Sequence, residues 1–143
     1  MKKIGDYTAM GQSETGESVK IQLFDGRFDT AYKIVGFAVT PEKVNLGHDA
    51  YGKLSTEDDA ASTPTRWDWG SNIEVAWAGM SAVVDGVAGE GSFIDPDNLI
   101  VEDLWFYGAN SDDGAINYMI VLEKYDITDW QGALSMVRNK SQG

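Results

Sequence analysis

The chain contains no cysteine, which excludes a disulfide framework and thiolate chemistry. That is compatible with a reducing compartment. It has one histidine, His48, and no G-x-G-x-x-G or P-loop glycine pattern, so a nucleotide-phosphate cradle of either kind is missing. No apolar run is long enough to span a bilayer as a helix. The first ten residues, MKKIGDYTAM, carry two lysines without an apolar stretch behind them and do not read as a signal peptide. Positive charge is in short supply: 11 Lys and Arg stand against 23 Asp and Glu, a net charge of -12. An acidic surface repels phosphate, so nucleic-acid contact is expected to be weak or absent. One small exception is available: Lys2 and Lys3 near one end and Arg138 and Lys140 near the other would form a basic spot if the termini meet. Charged, solvated chain ends are the plainer account.

What is present is globular. The 143 residues are 43% hydrophobic and 11% aromatic, enough for one domain with a real core. The strongest local signal is 99–127, LIVEDLWFYGANSDDGAINYMIVLEKYDI. Two apolar, β-branched and aromatic runs flank the polar turn Asn110–Gly114, the pattern of a hairpin. In the second run Ile116, Tyr118, Ile120 and Leu122 share one face and Asn117, Met119, Val121 and Glu123 the other, so cover on both faces is expected.

Further strands are expected at Val19–Phe24, Ala31–Val39 (ended by Pro41), Tyr51–Thr56, and Ile73–Trp77 with an extension to Val84. Phe93-Ile94 reads as a short edge strand, with Gly89-Glu90-Gly91 as a loop before it. Residues 1–17 are rich in Gly, Ser, Thr and Glu and read as a flexible N-terminal arm. Residues 57–64 read as a surface loop. At the other end Thr128-Asp129-Trp130-Gln131 fits a capping box, and Trp130, Leu134 and Val137 recur at helical spacing. A short helix over 129–138 follows. The expected fold is all-β: an antiparallel β-sandwich over 18–143, a jelly roll by preference, carrying that C-terminal helix.

Candidate chemistry is thin. His48 sits in a loop with no nucleophile motif beside it. Adjacent carboxylates such as Glu102 and Asp103 point to opposite faces of a strand and cannot by themselves form a glycosidase pair. Asp95 and Asp97, or Asp112 and Asp113, offer hard oxygens in turns. Calcium is therefore the one ion with ligands on offer, although Asx turns form without metal and neither run matches an EF-hand. No cofactor is expected, and no enzymatic activity.

Trp67 and Trp69, two apart, would point the same way in an extended segment. Two coplanar indoles would stack a sugar ring. Burial under the loop, or packing against another subunit, is the preferred alternative.

The stretch 98–142 resembles the C-terminal part of short structural proteins of marine viruses. The likeness lies in Asp95-Pro96-Asp97-Asn98-Leu99-Ile100-Val101-Glu102-Asp103-Leu104, in NYMIVLEKYDI from Asn117, and in DWQGALSMVRN from Asp129. Trp67-Asp68-Trp69-Gly70 and Glu74-Val75-Ala76-Trp77 fit the same impression. The resemblance implies a virion protein made in the host cytoplasm. Such a protein is a non-enzymatic jelly-roll capsid or coat subunit that assembles with itself and with other virion proteins. On that view Trp67, Trp69, Trp130, Leu134 and Val137 are subunit-contact candidates, and Lys2, Lys3, Arg138 and Lys140 are candidates to face a genome. The rival reading is a carbohydrate-binding sandwich using Trp67 and Trp69.

Overall fold

A computed structural model describes residues 2–58, 64–84 and 86–128. They form β1 (Lys2–Glu14), β2 (Ser18–Ile21), β3 (Thr30–Pro41), β4 (Asp49–Ser55), β5 (Glu74–Val83), β6 (Gly86–Ile94), β7 (Leu104–Asn110) and β8 (Ala115–Asp126). Two antiparallel sheets pack as a sandwich: β1-β8-β3, and β2-β7-β4-β5-β6. The helix expected over 129–138 lies outside the described residues.

The interior is made by period-two alternation on both sheets. From the smaller sheet come Ile34, Phe37, Val39, Ile116, Ile120 and Leu122; from the larger come Leu54, Ala76, Ala78, Leu104 and Phe106. Phe106 lies edge-on to Phe37 at 6.0 Å and stacks obliquely on Tyr118 at 4.6 Å between ring centroids. Its ring needs the missing side chains of Gly52 and Gly108, where an added Cβ would come within 2.8 Å of it.

Four expectations are corrected. The 99–127 stretch is not a hairpin: β7 and β8 belong to different sheets. Both runs are apolar on one face, and they satisfy those faces by opposing each other across the core rather than pairing side by side. The link between them is an arch. Asn110 Nδ2 donates to the Ala115 carbonyl at 3.1 Å, Asn110 Oδ1 accepts from Asp112 N–H at 3.0 Å, and Asp113 takes φ 55°. Nor is β8 covered on both faces alike. Ile116 and Ile120 are fully buried, whereas Met119 on the outer face is 38% exposed.

The supposed N-terminal arm is β1, paired with β8 from Lys2↔Asp126 to Glu14↔Ala115. Main-chain pairing holds this edge strand, and most of its side chains are exposed, so it carries little apolar pattern to read. Gly89-Glu90-Gly91, expected as a loop, is the middle of β6, paired with Gly79–Ser81.

The N-terminal half of the β3 edge is closed by the 98–100 segment. Tyr32 and Ile100 exchange two main-chain hydrogen bonds of 2.7 Å each. The fully buried Asn98 acts as a peptide group: Oδ1 accepts from Ile34 N–H at 2.7 Å, and Nδ2 donates to the carbonyls of Ile34 at 3.1 Å and Asp95 at 2.8 Å. Replacing Asn98 with Ala strands a buried donor and a buried acceptor on β3 and is expected to cost about 2–3 kcal/mol. A urea midpoint unchanged from the parent would refute this.

Asp103 anchors the 22–24 segment: Oδ1 accepts from Leu23 N–H at 2.9 Å and Phe24 N–H at 3.0 Å, and Lys20 lies 3.3 Å from Oδ2. Partial burial pushes its pKa up, but these donors together outweigh burial and hold it below the ordinary value. A depressed carboxylate stabilises the fold above its unfolded pKa of about 3.9, and that stabilisation disappears as pH falls through the lower folded value. Urea midpoints measured down a pH series should drop below about pH 4, and the drop should be smaller in Asp103→Asn.

Candidate functional site

Side chains that alternate away from the core on β4, β5, β6 and β7 form one transverse row: Tyr107, Lys53, Trp77 and Phe93. The row follows from the register Lys53↔Tyr107, Lys53↔Trp77 and Trp77↔Phe93. The connection between β4 and β5 returns over this face. It is held by a buried charge pair that the sequence reading did not single out. Lys53 Nζ lies 3.3 Å from Glu74 Oε2 and donates to the Arg66 carbonyl at 2.9 Å. Glu74 Oε1 accepts from Trp77 Nε1 at 2.9 Å and from Asp68 N–H at 3.1 Å. Tyr107 donates to Asp58 Oδ1 at 2.7 Å. Lys53 is 2% exposed and Glu74 8%. Each charge is therefore desolvated, and it is compensated by the other together with these hydrogen bonds.

This frame sets the aromatic positions. Trp67 lies above Gly79, with its Cη2 3.9 Å from where a Cβ there would be. Its ring is 6.2 Å from Phe93 at 65°. Trp69 lies 5.7 Å from Trp77 at 50° and 5.5 Å from Phe93 at 57°. Trp77 is buried, while Trp69 is 62% and Phe93 52% exposed. The structure thus brings Trp67 and Trp69 together around a shared phenyl ring. They are unequal partners: Trp67 is half-buried, and its indole N–H is buried without an acceptor among the described residues. Phe93 and Trp77 complete the cluster. The alternation at 73–77 marked Trp77 as a strand residue, but nothing in the sequence marked its outward side as covered.

The other candidates are dispersed. Lys3 donates to Asp6 at 2.8 Å and Glu123 at 2.7 Å. The hydrogen bonds to Asp6 and then Glu123 raise its pKa above the lysine range. It is a neutralised cation on an exposed edge strand, with Lys2 beside it. Trp130, Leu134, Val137, Arg138 and Lys140 lie outside the described residues. Asp95 Oδ1 accepts from Asp97 N–H at 2.9 Å, and Asp112 lies 3.4 Å from His48 Nε2. Among the described residues no three His, Asp or Glu side chains converge as a metal site. Ser81 donates to Asp49 Oδ1 at 2.7 Å, and the Ser111 hydroxyl accepts from Asp49 N–H at 2.9 Å. The geometry therefore presents a partly exposed aromatic cluster beside a buried ion pair.

No protein-family model, no curated protein and no solved structure matches this chain.

Removing one member of a buried pair leaves the other charge stranded. Lys53→Met is expected to destabilise the fold by about 3–5 kcal/mol. Lys53→Met combined with Glu74→Leu is expected to recover much of that loss. Urea denaturation followed by tryptophan fluorescence measures both; equal losses in the single and double variants would show that the pair carries no coupling.

Proposed function

We propose that this chain is a non-enzymatic structural subunit of a virion, a jelly-roll coat protein that assembles with copies of itself and with other virion proteins. The observation that carries the reading is the strand order. Eight strands laid as an antiparallel ribbon pair first with eighth, second with seventh, third with sixth and fourth with fifth. Wrapping the ribbon into two sheets then sets eighth beside third and seventh beside fourth. The pairs β1-β8, β2-β7, β4-β5, β8-β3 and β7-β4 support this wrapping. The departure is β6, which pairs with β5; an open cleft of about 250 Å³ lies between Phe37 and Val39 of β3 and Glu90 and Ser92 of β6. The resemblance of 98–142 to structural proteins of marine viruses points the same way. Exposed apolar groups add to it: Val84 is 72% exposed, Leu46, which bridges to it, 50%, and Val87 56%. Apolar groups left in water on a stable sandwich suit lateral contact.

The test is electron microscopy with light scattering across protein and salt concentration. Shells, sheets or rings are expected, and a monomer throughout would refute the reading.

A second reading rests on Trp69, whose exposed ring beside Phe93 suits stacking on the apolar face of a sugar. Under it, Trp69→Ala loses retention on a glycan array while keeping the parent's urea midpoint. An unmodified protein retained by no glycan would end it.

A further inference from the structure

We infer that two copies of the chain join through the free edges of their β6 strands, continuing the five-stranded sheet across a two-fold axis at Gly91. This rests on the self-assembly reading and specifies its first contact.

A free sheet edge presents unpaired N–H and C=O groups and pairs with another chain unless something prevents it. Three of the four edges are protected along at least part of their length. β1 carries Lys2, Lys3, Asp6 and Glu14 and is kinked by an irregularity between Lys3 and Gly5. β2 is four residues long and carries Lys20. β3 is capped by Ile100 and Asn98 over its N-terminal half, and ends at Pro41. β6, nine residues, bulges at Ala88 but is uncapped and runs in regular register from Gly89 to Ile94. Its sequence GVAGEGSFI has no proline and no lysine, and Glu90 is its single charge. Nothing among the described residues pairs with its outer edge.

Charge selects the register. Two copies carrying -12 each repel, and β6 brings one charge from each copy, Glu90. In an antiparallel pair, residues directly opposite share a face. A register centred on Glu90 would set the two carboxylates face to face, which is unfavourable. Centred on Gly91, the register sets Glu90 opposite Ser92 and Phe93 opposite Gly89. A Cβ at Gly89 or Gly91 would meet nothing within 4 Å. The 52% exposed Phe93 ring then covers the bare strand at its partner's Gly89, as aromatic residues do for glycines on edges. Trp69, packed on Phe93, borders the joint.

The chain lacks cysteine, so a single introduced thiol reports distance cleanly, and Gly91 has room for a side chain. Gly91→Cys places two thiols directly opposite each other, whereas Gly89→Cys leaves them about 13 Å apart. Oxidation or the shortest bis-thiol reagent should convert the first variant to covalent dimer and leave the second as single chains. Gly91→Asp should lose the dimer in sedimentation at a concentration where the parent is dimeric. Dimer formation that Gly91→Asp leaves unchanged, with no crosslinking of Gly91→Cys, would overturn the inference. Shells that form equally well from Gly91→Asp overturn it while leaving the coat reading intact. A crosslinkable dimer that never grows into larger assemblies supports it and removes the coat reading.

Discussion

The contact on which the rest of the molecule depends is the one between Phe106 on β7 and the inner face of β8. These strands come from two apolar, aromatic and β-branched runs, and only a short arch separates them. Had they paired in one sheet, both apolar faces would have needed cover from elsewhere. Placed in opposite sheets, each covers the other. Four other strands then have a defined place: β1 and β3 flank β8, while β2 and β4 flank β7, with β5 and β6 added beyond β4. The glycines at 52 and 108 are consequences of that choice. They leave the space in which the Phe106 ring lies.

A second constraint acts on the opposite face of the larger sheet. Lys53 and Glu74 are nearly inaccessible, and the loop that buries them is bonded to them through the Arg66 carbonyl and the Asp68 amide. The hydrogen bonds satisfy what desolvation exposes, so the pair specifies one loop position more than it adds net stability. The placement of the aromatic cluster follows from this. Trp67 and Trp69 bracket Asp68, whose amide is fixed on Glu74, and both rings therefore arrive at Phe93.

Much of the sandwich was legible because half-buried strands advertise themselves by alternation. Val19, Ile21 and Leu23, or Ile73, Val75 and Trp77, can be read directly as strand faces. The misreadings have a common physical origin. β1 and the middle of β6 are edge segments held by main-chain bonds, and main-chain bonding leaves no trace in side-chain pattern. The arch after Asn110 uses the same Asn, Asp and Gly chemistry as a hairpin, so local sequence cannot say whether the chain stays in its sheet or crosses. Of the site, the two indoles were visible as Trp-Asp-Trp. Lys53 was not, because a lysine on a strand reads as solvated until a loop covers it. Phe93 was read as part of an edge, which it is, but its pairing with Trp77 is long-range.

Edges and charge bear on each other. A strongly acidic subunit is kept apart from its copies over a distance set by screening, about 8 Å at physiological ionic strength. Attraction must therefore come from contacts formed inside that distance, where hydrogen bonds and apolar burial act. Charged rims oppose such contacts, and the charged edge β1 is consistent with a surface kept out of them. Exposed apolar groups lie on the charged edge β1, at Ile4, Tyr7 and Met10, and at Phe28, as well as along β6, at its Phe93–Trp69 end and at the Leu46–Val84 bridge, so what sets β6 apart is its thin charge and not its apolar exposure. Uniform charge would have served solubility alone. On the proposed self-assembly, β6, with one charge in nine residues, is the edge along which the acidic sandwich would grow.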